Sequence, residues 1–385
     1  MRFHLRSSST TIFFILILTL NSFFSTNFYV VSSTERDYWP TEEWKMSTAK
    51  KQKMKNNILE QMIEYVQTER INLHSVVIVR NGYIVFEEYL SPGYMEQEHY
   101  LWSVTKSFMS ALYGIAFEEG YITDFDAKVL SFFPNVTIDR YDPRKENITI
   151  ANLLTMTTGL LWYDDANWVP MVSAPNQVEY ILGLSLINDP GTVWNYDTGG
   201  THLLSAILQE VYGNTTLNFA EKYLFSKIGI TDYSWDQDKQ GIYYGGHGMY
   251  MTARDMARFG YLYLNNGTWD GEQVIPSEWV NATTSPLIPL WSGWAYGALW
   301  WIRTDLGFYS ARGRYDQMIY VLPEQDIVVA MTSNNAPGSF DPDFLIENFV
   351  IPAVKDDEAS YPFILISYIG LVIISILIQR RRKLK

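Results

Sequence analysis

Strand-forming segments stand near both ends of this 385-residue chain, and a long stretch without them lies between. Residues 75–80 and 83–89 are rich in β-branched and aromatic residues and flank Asn81-Gly82, a strong signal for a two-residue hairpin turn. Four similar segments follow late in the chain, at residues 296–304, 308–312, 317–322 and 327–333. Because short turns separate them, we expect antiparallel pairing and one sheet built from both ends of the chain.

Helical patterns occupy the rest of the predicted domain. Apolar periodicity predicts a long surface-packed helix within residues 42–70, and residues 103–288 are mainly typical of helices and turns, including helices at 201–212 and 252–264. A last helix at residues 343–354 can cover the sheet. The fold class is therefore α/β (α+β), an antiparallel sheet flanked by helices with a mainly helical inserted region.

The two termini carry apolar runs outside this pattern. Residues 1–33 place two arginines before a short apolar run and small polar residues, the order of a cleaved secretory signal peptide. Residues 362–378 are almost wholly apolar and precede the basic tail 379–385, so they predict a single transmembrane helix with a cytoplasmic tail. A C-terminal core helix with a basic end is the alternative. We thus expect one domain at residues 35–355 to lie outside the cytoplasm at the cell membrane.

Composition limits the partners and the chemistry. Without the two leader arginines and the five basic tail residues, 22 basic residues face 42 acidic ones, which disfavours nucleic acid as a partner. The chain has no Cys, so it has neither disulfides nor a thiol nucleophile. Asn-x-Thr glycosylation sequons that fit an exported glycoprotein start at Asn135, Asn147, Asn214, Asn266 and Asn281. The oligomeric state is left open.

The tetrad Ser103-Val104-Thr105-Lys106 places a hydroxyl and an amine one helical turn apart. The apolar run that follows it predicts a buried helix, so Ser103 would lie at the helix start, where free backbone N–H groups favour an oxyanion. A serine there can also be a plain helix cap, and a Ser-x-x-Lys match arises by chance about once in a chain of this size.

Other polar patterns point to no metal and no cofactor. The five histidines form no His-Glu-x-x-His pattern, and no Gly-x-Ser-x-Gly turn is present for a Ser-His-Asp triad. We interpret His247 as structural and Asp164-Asp165 as a solvated turn. Several aromatic residues could line an apolar cleft, although core packing would explain most of them: Trp102, Trp162, Tyr163, Trp168, Trp294 and Trp300.

Four further segments match, in order, the motifs of one enzyme family. They are residues 149–160 (TIANLLTMTTGL), 194–200 (WNYDTGG), 246–259 (GHGMYMTARDMARF) and 311–313 (ARG) with 317–323. With the tetrad, these segments make residues 75–333 resemble the β-lactamase-related serine hydrolases, the class C β-lactamase and penicillin-binding-protein-like group, especially its esterase-like branch. The resemblance implies a β-lactamase/transpeptidase-like three-layer sandwich.

The resemblance also implies roles for particular residues. Ser103 would be the nucleophile that forms an acyl-enzyme, and Lys106 and Tyr196 would handle its proton, with the choice of base between them left open. The backbone N–H groups of Ser103 and Arg314 would form the oxyanion hole. Substrate-binding positions would be Thr198, Ala311, Arg312 and Gly313; at Gly313 a side chain would block the approach of the substrate.

Two departures from the family pattern narrow the predicted activity. Thr198 replaces the asparagine of the Tyr-x-Asn motif, and Ala311-Arg312-Gly313 replaces Lys-Thr-Gly, so the residues that grip a substrate carboxylate are missing. Arg312 or Arg314 could supply the lost charge, or could simply be solvated. We predict a membrane-tethered serine hydrolase for a small ester or amide. A D-Ala-D-Ala-type peptidase or β-lactamase, and a catalytically silent binding module, are the alternatives.

Overall fold

An eight-stranded antiparallel sheet forms the centre of the domain, with strands from both ends of the chain side by side. The structure is a computed structural model that describes residues 36–139 and 141–354. The predicted signal peptide (1–33), transmembrane helix (362–378) and tail (379–385) lie outside these residues. Among the described residues, no helix combines the length and apolar character needed to cross a bilayer.

The sheet runs in the order β2-β1-β13-β12-β11-β10-β9-β8. Its strands are β1 Leu73–Arg80, β2 Tyr83–Tyr89, β8 Ile288–Pro289, β9 Trp294–Tyr296, β10 Trp301–Arg303, β11 Phe308–Gly313, β12 Gln317–Leu322 and β13 Ile327–Ser333. Two small sheets lie in the inserted region, from β3 His99–Tyr100, β4 Tyr233–Trp235 and β5 Met249–Met251, and from β6 Thr268–Trp269 and β7 Glu272–Gln273.

Helices cover both faces of the large sheet. They are α1 Asn56–Thr68, α2 Val104–Glu118, α3 Ile150–Leu154, α4 Asp164–Ser173, α5 Gln177–Gly183, α6 Thr198–Tyr212, α7 Thr216–Ala220, α8 Ser226–Ile228, α9 Ala253–Leu264, α10 Ser277–Thr283, α11 Asp343–Leu345 and α12 Ile351–Ala353. Short π-helical turns at Glu221–Phe225 and Ile346–Val350 continue α7 and α11.

Two apolar cores give the domain its three layers. On one face, α2 and α9 pack against the sheet, and Gly260 lets α9 approach because a Cβ there would lie 2.6 Å from Val328. On the other face, α1 and the C-terminal helical segment form the second core. Strand β1 is buried along its whole length because both faces are covered.

The sequence predicts these elements well where the signal is local. Asn81 and Gly82 both have positive φ (50° and 84°), as a type I′ hairpin turn requires, and the antiparallel sheet and flanking helices are confirmed. The helix predicted within 42–70 is wrong in its first half: it begins at Asn56, because Trp44 and Met54 are used as buried anchors of an irregular segment. The strand predicted at 296–304 is a hairpin of β9 and β10, which turns at Leu299 with φ 64°.

Candidate active site

The start of helix α2 places Ser103 and Lys106 on the same face. Ser103 is the residue before the helix, and Trp102, which precedes it, has a left-handed backbone (φ 49°) that non-glycine residues rarely adopt. Thirteen of the fifteen residues of α2 are buried, so the helix is fixed in the core. Lys106 is 1% exposed, and its amine reaches back along the helix to the Ser103 side chain.

The Lys106 amine donates three hydrogen bonds to uncharged oxygens. Its acceptors are Ser103 Oγ at 2.9 Å, Thr198 Oγ1 at 3.0 Å and the Gly246 carbonyl at 2.8 Å. Among the residues that the structure describes, no carboxylate forms an ion pair with it. Burial therefore dominates and lowers the pKa of Lys106 to about 8, although Asp164 and Asp197 oppose this shift. An amine with this pKa is partly neutral near physiological pH.

The Tyr196 ring lies beside the Lys106 amine. The Lys106 Nζ is 4.9 Å from the centroid of this ring, and an interaction with the Ser103 hydroxyl favours the phenolate. Burial, with the negative charge of Asp164 added, nevertheless raises the pKa of Tyr196 above its usual value. The phenol is thus protonated at neutral pH.

Two carboxylates whose charges act on Lys106 were not predicted from the sequence to belong to the site. Asp197 caps α6 by accepting from the Gly200 N–H (2.8 Å) and from the Thr158 hydroxyl (3.0 Å), and burial raises its pKa to about 6. Asp164, interpreted as part of a solvated turn, instead begins α4 and accepts from the indole N–H of Trp162 at 2.6 Å. Nothing in the local sequence around Asp164 indicates a role at the site. Asp197 could have been predicted as a helix cap, because it follows Tyr196 and precedes a helical pattern.

The segment Ala311-Arg312-Gly313, called the third motif below, meets the start of α2 through Gly313, at the end of β11. A Cβ on Gly313 would lie 2.2 Å from the Leu101 carbonyl, so the glycine is required for the close approach of two backbone segments. We expected a glycine here to leave room for the substrate. The structure shows that it leaves room for the Leu101 backbone instead. This approach brings the Arg314 backbone, the next residue, to the segment that leads into Ser103. Ala311 is fully buried on the same face of the strand.

Arg312 does not reach the candidate site. Side chains alternate along a strand, so Arg312 points to the opposite face from Ala311 and Gly313. There it forms an ion pair with Asp343 and donates from Nε to Ser310 Oγ at 2.8 Å. The structure thus contradicts the predicted placement of Arg312 among the substrate-binding residues. The Arg314 guanidinium is exposed and lies 3.5 Å from Asp165.

His247 lies beside the group but is held by aromatic neighbours. Its Nδ1 is 2.9 Å from the Tyr100 hydroxyl, and its ring stacks on Tyr244 at 4.2 Å. Burial, together with the Lys106 charge, lowers the pKa of His247 to about 3, so the imidazole is neutral. Within residues 36–139 and 141–354, no cluster of three or more potential ligands is placed to hold a metal ion.

The aromatic residues singled out in the sequence divide into two sets. Trp162 and Trp300 are fully buried core residues. Trp102, Trp168 and Trp294 are only partly buried, and Tyr163 is exposed.

Comparison with known proteins gives one family. The family model described as β-lactamase matches residues 59–348, well over half of the chain. The 6-aminohexanoate-dimer hydrolase of Paenarthrobacter ureafaciens is 24% identical over 304 residues, covering 72% of this chain and 75% of that protein. The lovastatin esterase of Penicillium rubens is 31% identical over 100 residues, covering 24% of this chain and 25% of that protein.

The fold agrees with this assignment. The octameric penicillin-binding protein homologue from Pyrococcus abyssi superposes with a TM-score of 0.62 at 20% identity, covering 79% of this chain and 78% of that one. The family match spans the Ser103–Lys106 helix and strands β11 and β12. This chain therefore belongs to the β-lactamase family and is a serine hydrolase of the β-lactamase-related type.

Proposed function

We propose that this enzyme cleaves an uncharged carboxylic ester or amide through an acyl-enzyme on Ser103. The observation that carries the proposal is the 2.9 Å hydrogen bond between Ser103 Oγ and a buried Lys106 whose pKa is lowered to about 8. A hydroxyl in contact with a partly neutral amine has a base ready to take its proton. The two relatives described above are named a 6-aminohexanoate-dimer hydrolase and a lovastatin esterase, which supports hydrolysis as the reaction.

In the first half of the reaction, Ser103 Oγ bonds to the substrate carbonyl carbon and its proton passes to the Lys106 amine. The carbonyl oxygen becomes an oxyanion, which the N–H groups of Ser103 and Arg314 bind. When the tetrahedral intermediate collapses, the bond to the leaving group breaks, and the leaving alcohol or amine takes a proton from Lys106 through the Tyr196 hydroxyl. Lys106 is the better base of the two because burial lowers its pKa and raises that of Tyr196.

In the second half, water replaces the leaving group. One of its protons goes to the same base, its oxygen bonds to the acyl carbon, and the ester bond to Ser103 Oγ breaks as Oγ takes that proton back from Lys106. The products are a carboxylic acid and the free serine hydroxyl, so the enzyme is regenerated. Thr198 and Gly246 hold the Lys106 amine in place throughout, because each accepts one of its hydrogen bonds.

The altered third motif supports an uncharged substrate. Arg312 is engaged with Asp343, and the Arg314 side chain has Asp165 beside it. Neither stands ready to bind a substrate carboxylate of the kind that penicillins and D-Ala-D-Ala peptides carry. We therefore expect slow or absent turnover of nitrocefin and no labelling by fluorescent penicillin. Rapid reaction with either compound would favour the β-lactamase or peptidase alternative.

Active-site labelling tests the proposal. A fluorophosphonate probe should label the full-length protein at Ser103, as mass spectrometry of the labelled peptide would show, and p-nitrophenyl acetate should be hydrolysed. Ser103→Ala should lose both signals, while the matched variant Ser131→Ala, at an exposed serine, should keep them. Equal labelling of wild type and Ser103→Ala would contradict the assignment of Ser103. A folded wild type that never reacts would instead favour the silent binding module.

We propose further that the domain is exported and tethered to the membrane, as residues 1–33 and 362–385 predict. Four of the five sequon asparagines (Asn135, Asn147, Asn214 and Asn281) are exposed in the domain, which is compatible with glycosylation. The full-length chain should stay with membranes after alkaline carbonate extraction, and removal of residues 362–385 should release it. Full-length protein in the soluble fraction would contradict the tether.

A further inference from the structure

We propose that three aromatic side chains, Trp102, Trp168 and Tyr315, form a subsite for an apolar acyl chain of the substrate. The inference rests on the proposed acyl-enzyme at Ser103 and specifies which part of the substrate the protein selects. The three residues are named the aromatic subsite below.

The aromatic subsite is assembled from three separate elements. The Trp102 ring is 5.9 Å from that of Trp168, on α4, and 5.3 Å from that of Tyr315, in the turn between β11 and β12. All three side chains are only partly buried, so ring surface stays accessible. Aromatic faces of this kind bind apolar groups through dispersion and water exclusion.

The subsite is adjacent in the chain to the two backbone N–H groups assigned to the oxyanion hole. Trp102 precedes Ser103, and Tyr315 follows Arg314. Both Trp102 and Tyr315 have positive φ (49° and 63°), a conformation that costs energy in residues with a side chain. Tyr315 shares its positive φ with Asp316 (64°) in the turn between β11 and β12, whereas Trp102 has it at the residue directly before Ser103.

A second aromatic group lies around Tyr196. Trp301 stacks on the Tyr196 ring at 5.8 Å, and Trp194 lies 6.0 Å from Trp301. The leaving group has to receive its proton from Lys106 or Tyr196, so it must lie on the Tyr196 side. We therefore assign the acyl chain to the aromatic subsite, which no ring contact among the described residues joins to the Tyr196 group.

The rim of the subsite favours a long, uncharged chain. Helix α4 carries Trp168, and the next residue, Val169, is 57% exposed. At this rim the side chains of Asp165 and Arg314 lie 3.5 Å apart and offset each other, and Asp316 follows Tyr315 directly. Asp164 adds a negative charge at the same end of α4. A carboxylate at the end of the acyl chain would therefore gain little binding energy at this rim.

Acyl-chain selectivity of the full-length enzyme tests the inference. We expect kcat/KM for p-nitrophenyl esters to rise from acetate to octanoate by about threefold for each methylene that enters the subsite. Trp168→Ala should lower the octanoate-to-acetate ratio by about tenfold or more. Trp168→Phe should restore most of it, and Tyr94→Ala, at an exposed tyrosine without a ring partner among the described residues, should leave it unchanged. Rates are normalised to sites titrated with the fluorophosphonate.

Two results would overturn the subsite while leaving the proposed function intact. One is acetate hydrolysis that depends on Ser103 with no preference for longer chains. Another is a Trp168→Ala variant that reacts with the probe but keeps the wild-type ratio, or that changes the dependence on the leaving alcohol instead. Faster cleavage of the adipate monoester than of the hexanoate ester would overturn both the subsite and the uncharged substrate class. A wild type that does not react at all would overturn the function and the subsite together.

Discussion

At Lys106, burial and nearby charge act in opposite directions on the pKa of one amine. Burial lowers it, whereas Asp164 and Asp197 raise it, and the result is a pKa of about 8. The carboxylates do not contact the amine directly. They act at a distance, because the field of a buried charge is poorly screened inside a protein. The position of this balance decides how much neutral base is present near neutral pH.

The pH dependence of kcat/KM should report this pKa. Neutral Lys106 accumulates as the pH rises through about 8, so activity should rise over that range in the wild type. Asp164→Asn keeps an oxygen for the Trp162 N–H but removes a negative charge that favours the ammonium. Its acidic limb should therefore shift to lower pH, with activity at pH 6.5 relative to pH 9 increased about two- to fivefold.

Asp126→Asn, at an exposed aspartate, is the matched control and should leave the limb where it is. If the acidic limb of the pH profile moves to higher pH in Asp164→Asn, or does not move, then Asp164 does not act on the proposed base, Lys106.

Asp197 gives a second pH-dependent effect, on stability. Burial raises its pKa to about 6, so between pH 4 and 6 the native state holds more protons than the unfolded state, and ionisation of this group costs stability as the pH rises. Asp197→Asn can still accept from the Gly200 N–H. In urea unfolding, the variant should therefore gain on the wild type from pH 4 to 7, by on the order of 2 kcal/mol. A constant difference over that range would contradict the raised pKa.

At the scale of elements, the site depends on the contact between the end of β11 and the segment before α2. Gly313→Ala should place a Cβ 2.2 Å from the Leu101 carbonyl, which cannot move without displacing Ser103. We expect β11 to shift away, the Arg314 N–H to leave the oxyanion position, and kcat to fall about 100-fold or more. Gly183→Ala is the control, since a Cβ there meets nothing within 4 Å. Near-normal kcat in folded Gly313→Ala would contradict this role of the contact.

The elements that the sequence predicts are those with a local cause. The hairpin at Asn81-Gly82 and the strands β12 and β13 follow from turn chemistry and alternation over a few residues. The irregular segment before Asn56 has no such local cause, because Trp44 packs against Tyr261, which is far along the chain. Asp164 and Arg312 were misplaced for a related reason. Arg312 pairs with Asp343, and the charge of Asp164 acts on Lys106 without contact; both of these groups are distant in sequence, so no local pattern records them.

For the whole molecule, the last described helical segment is joined to the sheet through one buried carboxylate. Asp343 is 0% exposed and binds Arg303 of β10, Arg312 of β11 and the hydroxyl of Tyr320 on β12. Three neighbouring strands are thus connected to the segment that closes the second core. The same contacts hold Arg312 against Asp343, so the architecture and the proposed substrate preference would have a common cause.

Removal of this carboxylate should destabilise the whole domain, because Arg312 would stay largely buried without a counter-charge and Arg303 would keep only its partly exposed partners Asp305 and Glu347. We expect Asp343→Ala to lower the free energy of unfolding by about 3–5 kcal/mol in urea titrations. Asp305→Ala is the matched control: Asp305 also pairs with Arg303, at 3.0 Å, but is 50% exposed, so its loss should cost less than about 1 kcal/mol. Equal costs for the two variants would mean that the second core, and not the buried ion pairs, holds the C-terminal segment on the sheet.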